Sequence, residues 1–203
     1  VPDPAPAPPG RTVPDVVVVD HHDSYTHSLV HLVAAVTGVL PTVVQHDETD
    51  AATVLAHSHV VLSPGPGHPD VPADFAVGAA VLRGAAATRT PVLGVCLGMQ
   101  GLVTTYGGRV DRVPPGHGVL ATVRHDGAGV FAGVPDGFDA VRYHSLAAVE
   151  LPSCLRRTAV DERTGLTMGV AHVDLPQVGV QFHPESVLTE HGAALVSGFL
   201  GLR

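Results

Sequence analysis

The sequence contains no lysine and no tryptophan. Its eleven basic residues are all arginine and are outnumbered by nineteen acidic ones, giving a formal net charge of −8 and a pI near 5.9. A nucleic-acid partner requires a basic face, so this balance argues against one. Without lysine, a phosphate loop ending in G-K-[ST] is excluded. Only two cysteines are present, Cys96 and Cys154, too few for a disulfide framework. No apolar run reaches the roughly eighteen residues of a membrane span. The opening VPDPAPAPPG has no apolar stretch resembling a signal peptide, so the expected compartment is the cytoplasm. Fourteen histidines are unusual for this length, yet neither H-E-x-x-H nor a Cys/His zinc spacing occurs. His21-His22 beside Asp20 and Asp23, and His57-x-His59, carry donor atoms, but no metal site is expected. His57 and His59 read as strand-edge residues, and Asp20 and Asp23 as caps for the helix that follows.

What is present is a foldable core. Hydrophobic residues make up 45% and charged residues 15% of 203 residues, enough for one domain without staples. Residues 1–14 are Pro/Ala-rich and read as a tail or linker, leaving 15–203 as the domain. From Val16 strand and helix signals alternate. Val16–Val19, Val43–Val44, Val60–Leu62 and Pro91–Val95 are short β-branched or apolar runs, the mark of strands buried on both faces. Ser24 is the expected N-cap of a helix carrying Leu29, Val30, Leu32, Val33 and Val36, which stops at Gly38. Phe75–Leu82, Leu97–Tyr106 and Ala193–Leu200 also read as helices, the second closed by Gly107-Gly108. Between the last two, short strand signals fall near 110, 119–123, 140–143, 147–150, 158–160, 167–172 and 178–182. Alternating elements followed by mostly strands predict a three-layer α/β domain with an antiparallel extension.

Three segments carry chemistry. Gly94-Val95-Cys96-Leu97-Gly98 has the form G-x-C-x-G between a strand and a helix. It reads either as a nucleophile elbow or as a buried structural cysteine. As an elbow, the helix N-terminus would favour thiolate, and the Leu97 N–H would face a developing oxyanion. Gln181-Phe182-His183-Pro184-Glu185 places His183 and Glu185 two residues apart, on one side of an extended segment. The pair reads as a base with its orienter, or as a plain turn. Ser63-Pro64-Gly65-Pro66-Gly67-His68-Pro69 follows a strand, where open α/β sheets bind ligands. Cys154 has no basic neighbour and reads as packing.

Taken together, SPGPGHP, GVCLGMQ, RYHSL and QFHPES, in this order, resemble the class I, triad-type glutamine amidotransferases. The likeness runs from about Val16 to Leu200. It is strongest to the glutaminase components of aminodeoxychorismate and anthranilate synthases, whose opening motif DHHDSYTHSL also resembles. The resemblance implies a flavodoxin-like fold with a mostly parallel central sheet. It implies Cys96 as nucleophile, His183 as base and Glu185 as orienter. Gly67 and Leu97 would supply oxyanion N–H groups. Gly65, Pro66, Gly67, Gln100, Ser145 and Leu146 would hold L-glutamine, with His144 shaping that segment. No cofactor is implied in this chain, and any Mg2+ would belong to a chorismate-using partner, fused or separate. Aminodeoxychorismate is slightly preferred as the product over anthranilate. The rival readings are a free γ-glutamyl cysteine hydrolase, a flavin binder and a non-catalytic subunit. The sequence departs from the pattern at His21, His22, Tyr25, Met99 and Val119.

Overall fold

The computed structural model describes residues 13–202. All but the last two residues of the expected tail, 1–14, lie outside the described residues. Val16–Val19 opens the first strand, β1 (Val16–Asp20). Its side chains alternate between two cores: Val16 and Val18 join one cluster, Val17 and Val19 the other. Such two-sided burial is what a continuous β-branched run is suited to.

The remaining parallel strands are β2 (Thr42–Gln45), β3 (His59–Leu62), β4 (Val92–Val95) and β9 (Gln177–Val180). The antiparallel strands are β5 (Arg109–His125), β6 (Phe138–Glu150), β7 (Leu155–Asp161) and β8 (Thr167–His172). They form one nine-stranded sheet in the order β2-β1-β3-β4-β9-β8-β7-β5-β6. Helices α1 (Thr26–Thr37) and α6 (Gly192–Leu200) contribute Leu29, Val33, Leu195 and Phe199 to the first core. Helices α4 (Gly78–Thr88) and α5 (Leu97–Thr105) contribute Val81, Leu82, Leu97 and Leu102 to the second. The result is the expected three-layer α/β arrangement with an antiparallel extension.

Several local expectations change. Ser24 does not cap α1: the helix begins after Tyr25, which has no side-chain cap, and Asp23 accepts the Tyr25 N–H instead at 2.7 Å. The expected helix 75–82 is two, α3 (Pro72–Phe75) and α4, separated by a sharp bend at Ala76. A one-turn helix, α2 (Ala51–Val54), was not expected; its cap is Asp50, which accepts from the Thr53 N–H at 2.8 Å. The pieces near 110 and 119–123 are one strand, β5, and those at 140–143 and 147–150 are one strand, β6. His59 is not on a sheet edge, because β3 lies between β1 and β4; the half-buried ring packs edge-on to Phe199. Among the described residues no helix is long and apolar enough to cross a membrane.

Candidate active site

Cys96 lies between β4 and α5, at the carboxyl end of the parallel strands. Its backbone adopts φ 53° and ψ −100°, a conformation that side chains rarely take. Such a residue costs about 1–3 kcal/mol and persists only when its surroundings dictate it. Here they do. The Cys96 N–H bonds to Val180 O at 2.8 Å, and the Cys96 carbonyl accepts from Gln100 N at 3.0 Å. The flanking glycines permit the crossing. A Cβ on Gly94 would stand 2.6 Å from Met99 N, and one on Gly98 would stand 2.9 Å from Leu62 Cβ. The helix therefore starts directly against the sheet, with Cys96 at its N-terminus.

His183 and Glu185 come to the same end of the sheet on the segment that leaves β9. His183 Nδ1 and Glu185 Oε1 are 2.6 Å apart, and both side chains are buried. The imidazole N–H donates to the carboxylate when Nδ1 carries the proton. Burial alone would depress the His183 pKa, but the Cys96 thiol and the Glu185 carboxylate outweigh it and hold the pKa well above the ordinary value. Nε2 of His183 is buried and makes no hydrogen bond. The thiol thus faces an imidazole that gains by taking its proton.

Gln181 and both tyrosines that meet His183 were not among the expected site residues. Gln181 Nε2 lies 3.6 Å from Cys96 Sγ, and Gln181 Oε1 accepts from Gln100 Nε2 at 3.2 Å. Gln181 stands two residues before His183, the same spacing that links His183 to Glu185, and that was the available signal. Tyr25 and Tyr143 stack on each other at 5.0 Å, and each meets the His183 ring edge-on, at 5.7 and 5.1 Å. They roof the imidazole on its solvent side.

The other expected residues surround this centre. Gly65 is pinned between His21 and Leu97: an added Cβ would lie 2.6 Å from His21 Cβ and 2.7 Å from Leu97 Cδ2. Gly67 has φ +92° and backs onto Asp74, whose carboxylate accepts from His68 N at 2.9 Å. Pro66 stiffens the turn between them. Ser145 and Leu146, on β6, join Gly67, His68, Asp74 and Arg112 in lining a cleft of about 510 Å³. Gln100 Nε2 donates to Leu146 O at 3.0 Å, so that amide is already engaged. His144 is buried and pairs through Nδ1 with Leu146 O at 2.8 Å; burial pushes its pKa down to about 4. It is therefore a neutral strut for the segment 144–146.

The departures lie around this frame. Met99 is fully buried, and a Cβ on Gly179 would meet its side chain, so it serves core packing. Val119 is on the exposed surface of β5. Asp20 accepts from the Thr26 hydroxyl at 2.7 Å and from Gln45 Nε2 at 3.1 Å, tying the start of α1 to β2. Cys154 is partly buried against the second core, consistent with packing.

An elbow cysteine facing a histidine buttressed by a buried carboxylate, on a three-layer sheet, makes this an α/β domain equipped for cysteine-based acyl chemistry. Comparison with known proteins gives the family. The chain belongs to the class-I glutamine amidotransferases, whose sequence profile matches residues 17–201. It is 47% identical over 189 residues to an aminodeoxychorismate synthase from Streptomyces griseus, an alignment covering 92% of this chain but 26% of that protein. The chain thus spans about a quarter of that relative's length. It is 45% identical over 192 residues to anthranilate synthase component 2 of Halobacterium salinarum, covering 92% of this chain and 96% of the relative. The fold matches that of a GMP synthase protein from Thermoplasma acidophilum with a TM-score of 0.83, at 23% identity over 95% of this chain and 94% of that one.

Proposed function

We propose that this chain is the glutaminase part of a chorismate-using synthase, releasing ammonia from L-glutamine and passing it to a partner active site. The observation that carries this reading is the Cys96–His183–Glu185 arrangement at the strand–helix elbow. His183 takes the thiol proton while Glu185 stabilises the imidazolium. Cys96 Sγ attacks the side-chain amide carbon of glutamine, and the carbonyl oxygen becomes an oxyanion held by the N–H groups of Leu97 and Gly67. His183 then gives its proton to the departing nitrogen, ammonia leaves, and a glutamyl thioester remains. Water, deprotonated by His183, attacks that thioester; glutamate departs and the thiol is restored. Gly65, Pro66, Gly67, Gln100, Ser145 and Leu146 hold the glutamine, and His144 braces the last two. The chemistry needs no metal or cofactor from this chain.

Aminodeoxychorismate is the preferred product, because two Streptomyces relatives at 47% and 43% identity bear that name. The remaining three quarters of such a protein, fused or separate, would bind the chorismate. The test is an assembled synthase supplied with chorismate and either glutamine or ammonium salt. Cys96→Ala is expected to lose product formation with glutamine and keep it with ammonium. Equal loss of both would assign Cys96 a structural role. Anthranilate as the product would move the chain to the other branch, and rapid glutaminase turnover without a partner would make it a free hydrolase.

A further inference from the structure

A second set of donor atoms gathers at the ends of β1 and β2, away from Cys96. The two strands run parallel with Asp20 opposite Gln45, so the residues that follow, His21-His22 and His46-Asp47, leave the sheet side by side. His22, His46 and Asp47 each present one donor atom, and the three atoms lie within 4.8 Å of one another. His22 Nε2 is 3.1 Å from Asp47 Oδ1, and the His22 ring meets that of His46 edge-on at 4.9 Å. The His22 backbone is left-handed, at φ 58°, a strained choice for this residue. His46 is 3% exposed, and its Nδ1 is buried without a hydrogen-bond partner. An orphaned buried nitrogen costs about 1–3 kcal/mol, so this imidazole has an unmet need within the cluster.

We propose that His22, His46 and Asp47 form a binding site for a divalent transition metal, zinc above all, with the remaining coordination position open to water. Two imidazoles and a carboxylate suit zinc, whereas calcium and magnesium call for oxygen donors throughout. Bonds of about 2.0–2.1 Å in a tetrahedron put neighbouring ligand atoms about 3.3 Å apart. The His22–Asp47 separation already matches. The widest pair must close by about 1.5 Å, which torsions of the exposed His22 and Asp47 side chains can supply. The ion would staple the β1–α1 loop to the turn after β2. His21 lies between the site and the glutamine cleft: its N–H bonds to Ser63 Oγ, its ring stacks on His46 and Phe75, and Gly65 packs on its Cβ. Tyr25, over His183, belongs to the same loop. Metal binding would therefore stiffen two walls of the site without touching the reacting atoms.

The test titrates the purified chain with Zn2+ by calorimetry and with Co2+ by visible absorption, in a Cys96→Ser background so that the thiol is not a rival ligand. One equivalent of Zn2+ is expected, with ligand-field bands for Co2+ and a raised melting temperature. His22→Ala and Asp47→Ala, both at exposed positions, should each weaken binding at least about tenfold. His57→Ala, whose ring pairs with Asp15 elsewhere on the surface, should leave it unchanged. Absence of saturable Zn2+ binding, binding that survives unaltered in both ligand variants, or loss in His57→Ala would each overturn the proposal.

Discussion

Gly98→Ala tests whether the close crossing of α5 over the sheet is what aims Cys96. The added methyl would sit 2.9 Å from Leu62 Cβ and closer still to the Leu62 carbonyl oxygen. Carbon atoms pack comfortably at about 3.5–4.0 Å, so α5 must move away from β3 by about 1 Å. Overpacking against backbone costs about 3 kcal/mol, the upper end of the usual range, while alanine in place of glycine returns about 1 kcal/mol of helix propensity. A net loss of about 2 kcal/mol leaves a domain of ordinary stability folded. Yet Cys96 and the Leu97 N–H stand at the moving end of the helix, and a 1 Å misplacement of reacting groups costs about a hundredfold in rate. Glutamate release from glutamine should therefore fall about a hundredfold in a protein whose urea midpoint drops only modestly. Gly38→Ala is the control: its φ is +78° with nothing near an added Cβ, so it should lose about 1 kcal/mol and no activity. A Gly98→Ala protein with unchanged glutaminase activity would refute the argument.

Glu185→Gln keeps the shape of the buried pair and removes the charge that helps hold the His183 pKa up. Alkylation of Cys96 by iodoacetamide at neutral pH should slow at least about tenfold, because the thiolate–imidazolium pair loses its anionic support; an unchanged rate would detach Glu185 from the chemistry. His144 makes a pH prediction. Its folded-state pKa is near 4, below the ordinary 6.5, so the unfolded chain takes up a proton first as pH falls. Its contribution to stability is complete above pH 6.5 and is lost as pH falls toward 4, at up to about 1.4 kcal/mol per pH unit and about 3 kcal/mol in all. Urea unfolding at a series of pH values should show this slope flattening in His144→Asn; an identical slope in both proteins would contradict it.

The parallel half of the sheet was legible because burial on both faces leaves an unmistakable run such as Val16–Val19. The elbow was legible because only glycines at 94 and 98 let α5 lie on the sheet. The long hairpin of β5 and β6 was not. Pro114-Pro115-Gly116 reads as punctuation, yet the register shift between Arg112 and Gly116 absorbs it and the strand continues. Helix α2 was invisible to periodicity because four residues make about one turn. Gln181 was in view within its motif but went unassigned, since its role depends on Gln100 and Cys96, far away in sequence. The His22–His46–Asp47 cluster was equally hidden. His21-His22 was noticed, but only the β1–β2 register brings residues 46–47 beside it.

The central claim is that Cys96 carries the glutamyl group. It is tested most directly by acid-quenching the protein during glutamine turnover and mapping the adduct by mass spectrometry. The account predicts a glutamyl thioester on the peptide containing Cys96, present in the unaltered protein and absent from Cys96→Ser. Turnover that persists in Cys96→Ser with no adduct on either protein would contradict it.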